Sequence, residues 1–432
     1  MSITSSMYTG VTGLITYSGA MSVVSNNLAN VNTVGFKNSR AQFADLLSAR
    51  EAGSLIGRGV RMAAVSPLFT QGVYQATGGV SDVTIQGKGL FLVKNLDGQS
   101  FYTRAGQFSL NKDGALVNPE GLTVQGFPVD SRGQAVGGLQ NIDLGGGLSL
   151  LPEPTTEITL AVNLDSRAQT LTTTWAGGVG TEDTAANWFA ASNYATTVRV
   201  HDSLGQEHQL TFLFRTTQSS PPEWNYTVVA PVEDVQSTPA TPGNLIAVST
   251  GTIVFNTDGT LNIGSSTISD INLTGLVNGA ADLQVLAADM SFAGSTQVAT
   301  SSTLSSFQSD GSAPGTLTGF TIDAQGVING QYSNGGILSL YQIALADFPG
   351  VERLTPAGGT LWAQSSESGD PIIGTPGSGG FGTVLGGGLE QSTVDVAQEF
   401  VAMIGAQRGF QANSRVITVA DQMYEEVVNL KR

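Results

Sequence analysis

The stretch SNNLANVNTVGFK, residues 25–37, closes an apolar-periodic segment with a run of asparagines and a Gly-Phe pair. No charged residue precedes Lys37 anywhere in the chain. Asparagine and glycine tolerate the left-handed backbone conformation, so Asn30 and Gly35 predict the C-terminal end of a helix. A comparable amide-rich run, FVAMIGAQRGFQANSRVI (400–417), stands near the other end of the chain.

Apolar residues in both terminal segments recur with helical spacing. The N-terminal heptad positions are Met7, Leu14, Met21 and Leu28, alternating with Gly10, Tyr17, Val24 and Val31. The C-terminal stripes are Ala397, Val401 and Ile404, then Val416, Val419, Met423, Val427 and Leu430. The register slips between these two stripes, around Gly405 and Gly409. The spacing predicts terminal helices over residues 1–31 and 390–432.

Two helices that pair with each other bury only one seam, and the sequence offers no third helix to cover the rest. Tyr17, Met21, Phe400, Ile404 and Phe410 would then keep apolar area exposed. We therefore predict an assembly subunit whose ends become ordered against other copies. The alternative is a local two-helix hairpin that docks on the β domain.

The middle of the chain alternates short β runs with Asp-Gly turns and has no βαβ pattern, which predicts antiparallel sheets. A Pro/Thr-rich joint, LPEPTTEITL (151–160), and a Ser/Thr-rich joint over 292–315 divide it. The predicted organisation follows from these joints. It comprises a connecting segment at 32–75, an inner β domain from 76–150 and 297–385, and an inserted outer β domain at 155–295. Residues 166–187 are predicted to be an exposed loop, and the Gly-rich stretch 366–392 a return linker.

Composition excludes several classes of function. The net charge is −16 and charged residues make up only 12% of the 432 residues. The chain has no cluster of Lys and Arg, which argues against nucleic acid and against anionic membrane surfaces. It contains no cysteine. No apolar stretch is long enough to span a membrane as a helix. The N-terminus lacks the basic and apolar regions of a cleaved signal peptide.

The sequence offers little support for catalysis. The two histidines, His201 and His208, flank an Asp-Ser-Leu-Gly turn, where Asp202 and Glu207 are the local acidic partners. A metal site needs three or more converging ligands, and a tight turn points the side chains of a Ser203 triad apart. A polar hairpin tip is the simpler interpretation. We predict no catalytic residues, no cofactor and no metal, and hence no enzyme.

Three stretches resemble the bacterial flagellar rod and hook family. SNNLANVNTVGFKNSRAQFADLL (25–47) is similar to the family's N-terminal motif, and residues 400–432 are similar to its C-terminal motif. GGVSDVTIQGKGLFLVKNLDGQSFYTRAGQFSLNKDGALVNPEGLTVQGFP (78–128) looks like its inner β domain. Within the family, the insert at 155–295 favours a hook subunit, because distal rod subunits have a single β domain. VRVHDSLGQEHQLTFLF (198–214) also looks like the outer domain of hook subunits.

The resemblance implies a fold and a set of polymer contacts. The fold is mainly β with α-helical termini: antiparallel, coiled-coil-like terminal helices, an inner β domain and an inserted outer β domain. The implied polymer-interface residues are Met7, Leu14, Tyr17, Met21, Val24, Asn26, Asn27, Leu28, Asn30, Gly35, Phe36, Phe400, Val401, Ile404, Gln407, Arg408, Phe410, Gln411 and Asn413. Asn26, Asn27 and Asn30 would satisfy groups at the helix end, Gly35 would turn the chain, and Phe36 would anchor it. Phe43 and Leu47 match a short export-gate pattern, although both could simply be core residues.

The implied function is that of a structural subunit that polymerises into the flagellar hook, a bendable tube acting as a universal joint between rod and filament. The implied partners are other copies of the chain, the distal rod, the hook cap scaffold, the hook-filament junction protein, the hook-length control protein and the flagellar type III export apparatus. The implied location is the extracellular hook, reached without a cleaved signal peptide. The alternatives are a distal rod subunit or, in a different class, an exported β-rich enzyme or adhesin.

Overall fold

The computed structural model describes residues 3–46, 49–51, 54–130, 132–145, 149–175, 177–219, 222–235 and 241–429. The chain divides into two compact units. The first comprises Met1–Leu148, Thr318–Gln331 and Ile337–Arg432, and the second comprises Ser149–Leu317 and Tyr332–Gly336. The fold is mainly β with a helix at each end of the chain, which confirms the predicted fold class.

The helices are α1 (Ile3–Ala29), α2 (Ala185–Ala190) and α3 (Val396–Asn429). The strands before the second unit are β1 (Ser39–Asp45), β2 (Ala49–Glu51), β3 (Ser54–Ile56), β4 (Val60–Pro67), β5 (Tyr74–Ala76), β6 (Val83–Gln86), β7 (Leu90–Lys94), β8 (Ser100–Thr103), β9 (Ser109–Leu110), β10 (Leu116–Val117), β11 (Thr123–Pro128) and β12 (Gln140–Asn141).

The strands that follow Ser149 are β13 (Ile158–Asp165), β14 (Glu182–Thr184), β15 (Tyr194–His201), β16 (Glu207–Ser219), β17 (Pro222–Pro231), β18 (Asn244–Val254), β19 (Ile271–Leu273), β20 (Leu283–Val285), β21 (Met290–Ser291), β22 (Thr296–Val298) and β23 (Thr303–Ser309). The remaining strands are β24 (Leu317–Ile322), β25 (Val327–Tyr332), β26 (Ile337–Ile343), β27 (Leu345–Asp347), β28 (Thr355–Gly358), β29 (Leu361–Ala363), β30 (Ile372–Gly374), β31 (Thr383–Gly386) and β32 (Gly388–Glu390).

The first unit is built on a large sheet with the strand order β24-β25-β26-β11-β7-β8-β29-β28. Leu92 and Trp362 lie in its apolar core beside Tyr102 and Phe348, whose rings meet edge to face with centroids 4.7 Å apart. The hairpin of β1 and β4 stands apart from this sheet and packs against α1. Residues 32–75, predicted to be a connecting segment, therefore contain a hairpin of their own.

The second unit contains a five-stranded sheet, β14-β18-β17-β16-β15, and a smaller sheet around β13. Its core is rich in aromatic residues, and Phe292 contacts the rings of Phe212, Phe214 and Tyr226. Strand β23 pairs with β13. Residues up to Leu317 therefore belong to this unit, whereas the predicted insert ended at residue 295.

Two expectations about the middle of the chain were wrong, and a third was right only in part. The β structure is not purely antiparallel, because β13 pairs in parallel with both β21 and β22. The predicted exposed loop 166–187 has no buried residue among those described, but its end contains β14 and the first residues of α2. The predicted return linker 366–392 contributes three paired strands, β30 to β27, β31 to β6 and β32 to β5. Periodicity missed these strands because each is only three or four residues long.

Candidate functional site: the terminal helices and their junction

The two terminal helices run antiparallel and meet along small side chains. A side chain at Gly13 of α1 would collide with Asn413 of α3, and one at Gly409 of α3 would collide with Tyr17. The buried residues of α1 are Gly10, Gly13, Thr16, Ala20 and Asn27, and those of α3 are Glu399, Ala406 and Ala420. The larger heptad residues of α1, Met7, Leu14, Met21, Val24 and Leu28, are only half-buried. The seam is therefore a close backbone approach at small residues, and the coiled-coil detail stays a prediction.

The two glycines of α3 have different surroundings. A Cβ at Gly409 would lie 2.5 Å from the ring of Tyr17, whereas a Cβ at Gly405 would have none of the described residues within 4 Å. Glycine inside a helix costs roughly 1 kcal/mol relative to alanine. The cost at Gly409 is offset by close contact with α1, but the contacts among the described residues give no such reason at Gly405.

Eleven large apolar side chains are exposed along α3 in the single chain, each by between 38% and 71%. They are Val396, Phe400, Val401, Ile404, Phe410, Val416, Val419, Met423, Tyr424, Val427 and Val428. The described residues of the stripes predicted from the sequence are all exposed, and Leu430 lies outside the described residues. Gln407, Arg408 and Gln411 are exposed on the same helix, whereas Asn413 is half-buried against Gly13.

The asparagines at the end of α1 hold the chain as it leaves the helix. The Asn27 amide donates to the Ser39 carbonyl at 2.8 Å and to the buried Glu399 carboxylate at 3.0 Å, while its oxygen accepts the Ser39 N–H at 2.9 Å. Asn30 donates to the Asn26 carbonyl at 2.9 Å. Asn27 therefore joins α1, α3 and the start of β1.

Gly35 turns the chain in the left-handed conformation, with φ of +69°. Its N–H donates to the Glu390 carbonyl at 2.8 Å. A Cβ at this position would lie 2.5 Å from the backbone nitrogen of Ala105. The next residue, Phe36, is half-buried, and its carbonyl accepts the Thr393 N–H at 3.2 Å. Glycine is therefore required at residue 35 for two reasons, its backbone angle and its close approach to the inner β domain.

A groove of about 900 Å³ lies beside this turn. It is lined by Asn26, Asn30, Gly35 and Phe36 from the opening motif, and by Val65 and Pro67 of β4, Leu354, Pro356 and Trp362 from the C-terminal half of the same unit. Four of the predicted interface residues thus share one concave surface, although their spacing in the sequence does not reveal this.

The junction between the helical ends and the inner sheet contains a buried ionic cluster that sequence reasoning missed. The Glu390 carboxylate contacts Lys37 Nζ at 2.5 Å and Arg104 Nε at 2.6 Å, and it accepts the Gly72 N–H at 2.7 Å. The side chains of Lys37 and Glu390 are 2% and 1% exposed. Arg104 also donates to the carbonyls of residues 85, 87 and 89. The sequence signal for this cluster was Lys37, the first charged residue of the chain, but its ionic partners lie far away in the sequence.

Burial and ionic contact act in opposite directions on this cluster. Burial alone raises the pKa of Glu390, but the nearby Arg104 and Lys37 and the Gly72 N–H bring it below its ordinary value. Burial lowers the pKa of Lys37, although Glu390 opposes this shift. The carboxylate is therefore the favoured form of Glu390 in the folded chain.

Acid is expected to loosen this junction. Since the pKa of Glu390 is lower in the folded chain than its ordinary value of 4.5, its stabilisation is complete above that value. The stabilisation is lost as the pH falls through the lowered value. Amide exchange of the Gly72 N–H, corrected for intrinsic pH dependence, should accelerate in that window, because this group donates to the carboxylate. Exchange that follows the intrinsic curve down to pH 2 would contradict the expectation.

Leu204 and Gln206 at the tip of the histidine-containing turn are exposed, as expected, but two residues that flank the tip are buried. Asp202 and His208 are nearly inaccessible, and His208 Nε2 lies 3.0 Å from the Asp202 carboxylate. His208 Nδ1 lies 3.2 Å from Asp234. Asn278 donates to Asp202. Within the described ranges, no group of three or more potential ligands could hold a metal ion, and this cluster is a core hydrogen-bond network.

The proposed export pattern is only partly described. Phe43 lies on β1, is half exposed, and its ring centroid is 5.9 Å from that of Tyr17. Leu47 lies outside the described residues. Among the described residues, no helix is long and apolar enough to cross a membrane.

Four family descriptions match the chain in the order of its elements. They are the flagella basal body rod protein at residues 7–37, the flagellar hook protein FlgE/F/G D1 domain at 84–180, the flagellar basal body protein FlaE D2 domain at 163–312, and the flagellar basal body rod FlgEFG protein C-terminal region at 385–430. The exposed helical ends and two β units therefore belong to the class of flagellar rod and hook proteins.

Relatives that match the chain over its full length identify the branch of this class to which it belongs. The chain is 33% identical to the flagellar hook protein FlgE of Treponema pallidum, with 99% of each chain covered. It is 33% identical to that of Escherichia coli, with 98% of each covered, and 32% identical to that of Rhizobium meliloti, with 100% of each covered. A crystal structure of Helicobacter pylori flagellar hook protein FlgE2 is similar with a TM-score of 0.47 at 15% identity, over 73% of this chain and 100% of that one. The chain belongs to the flagellar hook protein family and is a structural subunit of the flagellar hook.

Proposed function

We propose that the chain polymerises into a bendable tube that acts as a universal joint and transmits torque from rod to filament. The observation that carries this proposal is the set of exposed apolar side chains along α3. Burying a single Val, Ile or Phe side chain contributes roughly 1.5–3 kcal/mol, and α3 exposes eleven large apolar side chains. Other copies of the chain are the occupants that would cover them, as expected for a self-assembling subunit.

The contacts proposed for this polymer fall into two groups. Phe400, Val401, Ile404, Gln407, Arg408, Phe410 and Gln411 would meet neighbouring copies directly, since all are exposed on α3. Asn27 and Gly35 would instead act within the chain, because both are buried at the end of α1. The half-buried residues of α1 would contact neighbouring copies through the parts of their side chains that remain exposed. Asn26, Asn30 and Phe36 would contact neighbouring copies along the groove.

Bending requires each protofilament to lengthen and shorten once per revolution. We assign this adjustment to the inserted outer domain, proposed at about residues 155–295 from the sequence. Its weakly charged surface can exchange water-mediated contacts at low cost. The terminal helices, proposed at 1–31 and 390–432, would form the inner tube. The inner β domain would surround that tube.

The same proposal assigns specific flagellar partners to the chain. The distal rod would receive the first copies, and the hook cap scaffold, hook-length control protein and hook-filament junction protein would act at the growing end. The flagellar type III export apparatus would deliver the chain outside the cell without a cleaved signal peptide, with Phe43 and Leu47 as contact residues. The proposal includes no catalytic activity.

Electron microscopy of the purified full-length chain, concentrated under assembly conditions, tests this function. We expect curved tubes. Straight, rigid tubes would support a distal rod subunit instead. Dispersed monomers at every concentration would overturn self-assembly and favour an exported enzyme or adhesin.

A further inference from the structure

Three parts of the first unit that are distant in the sequence meet at one carboxylate. Lys37 follows α1, Arg104 follows β8 of the inner sheet, and Glu390 ends β32 just before α3. We propose that Glu390 closes a clamp that fixes the segment leaving α1 and the segment entering α3 to the inner sheet. The value of this attachment for torque rests on the proposed function. The clamp itself concerns a single chain.

Both the side chain and the main chain of Glu390 contribute to the clamp. Its carboxylate binds Lys37, Arg104 and the Gly72 N–H, as described above. Its carbonyl accepts the N–H of Gly35, and its strand pairs with β5, opposite Tyr74. One residue thereby fixes the exit of α1, the segment before β5 and the entry into α3.

The charges of the cluster are unequal, and this gives the clamp a testable signature. Two cations, Lys37 and Arg104, face one carboxylate, so the buried cluster carries one net positive charge. Removing the Lys37 ammonium leaves a balanced Arg104–Glu390 pair. Removing the charge of Glu390 leaves two buried cations close together. Uncompensated buried charge is much costlier than a missing contact, so the two changes should have very different effects.

Hydrogen exchange of the full-length monomer tests the clamp in three variants. Glu390→Gln raises the buried charge from one to two, Lys37→Met lowers it to zero, and the double variant restores it to one. We expect Glu390→Gln to accelerate exchange of the Gly35, Gly72 and Thr393 amides together by about a hundredfold or more. Lys37→Met should accelerate it less than tenfold, and the double variant should lie between the two.

Several outcomes would overturn the clamp. One is acceleration confined to Gly72, which would mean that a single contact was lost. Another is an equal effect of Lys37→Met and Glu390→Gln. If Glu390→Gln does not fold, the double variant decides: recovery of folding supports the clamp, and failure to recover contradicts it. Because the readout is monomeric, a negative result leaves the assembly proposal intact, and a failure to polymerise leaves the clamp intact.

Discussion

A Val401→Asp chain should fold normally and fail to form tubes. Val401 is 71% exposed on α3. An aspartate at this position would therefore disturb few contacts within the single chain. Asp and Val have similar helix propensities. Exposed substitutions of this kind usually change stability by within about 0.5 kcal/mol. In a polymer that covers this part of α3, the carboxylate would be buried against apolar neighbours at a cost of several kcal/mol per contact.

The matched control is Leu96→Asp. Leu96 is fully exposed, at 100%, in a turn closed by the bond from the Asn95 N–H to the Gln99 carbonyl. It therefore adds the same charge away from the terminal helices. Sedimentation and electron microscopy should show tubes for Leu96→Asp and monomers for Val401→Asp. Normal tubes from Val401→Asp would show that this part of α3 stays exposed, and parallel loss in both variants would point to net charge instead.

The helical ends were predictable because they depend on local periodicity. Spacing identified an apolar stripe on α3 but could not decide which face meets α1. The seam formed at Gly13, Ala406 and Gly409, and small residues leave little mark in an apolar pattern. The large residues, such as Val401, were left outside. This division is itself informative, since a helix that pairs through its small residues keeps its large ones for other contacts.

The ionic cluster could not be predicted, because it depends on topology. Lys37 and Glu390 are 353 positions apart, and Arg104 and Glu390 are 286 apart. No local pattern links them. In a chain with few charges, each charged residue within a motif is nevertheless a candidate for a buried role. The short strands β31 and β32, hidden in a Gly-rich stretch, place Glu390 there.

A Gly35→Ala chain should lose the docking of its helical ends. Gly35 combines a φ of +69° with a Cβ position 2.5 Å from the Ala105 nitrogen and 2.8 Å from the Ala105 Cα. Alanine pays about 1–2 kcal/mol for the left-handed angle. The contact with rigid backbone adds about 1–3 kcal/mol. The measurement is a urea titration in which hydrogen exchange of peptides from the first unit reports unfolding. The free energy of unfolding of that unit should fall by several kcal/mol.

Gly78 separates the effect of the backbone angle from that of the close contact. It has a similar φ of +73°, but in the part of the chain that the structure describes nothing lies within 4 Å of its Cβ position. Gly78→Ala should therefore cost only the angle, about 1–2 kcal/mol. Asparagine tolerates the left-handed region, so Gly78→Asn should be nearly neutral, whereas Gly35→Asn should still collide with Ala105. Equal effects at both positions would mean that the backbone angle alone requires Gly35. A larger effect at Gly35 with both substitutions would place the requirement in the contact between the turn after α1 and the inner sheet. That contact adjoins the Glu390 cluster, so the same peptides should lose protection when either is disturbed.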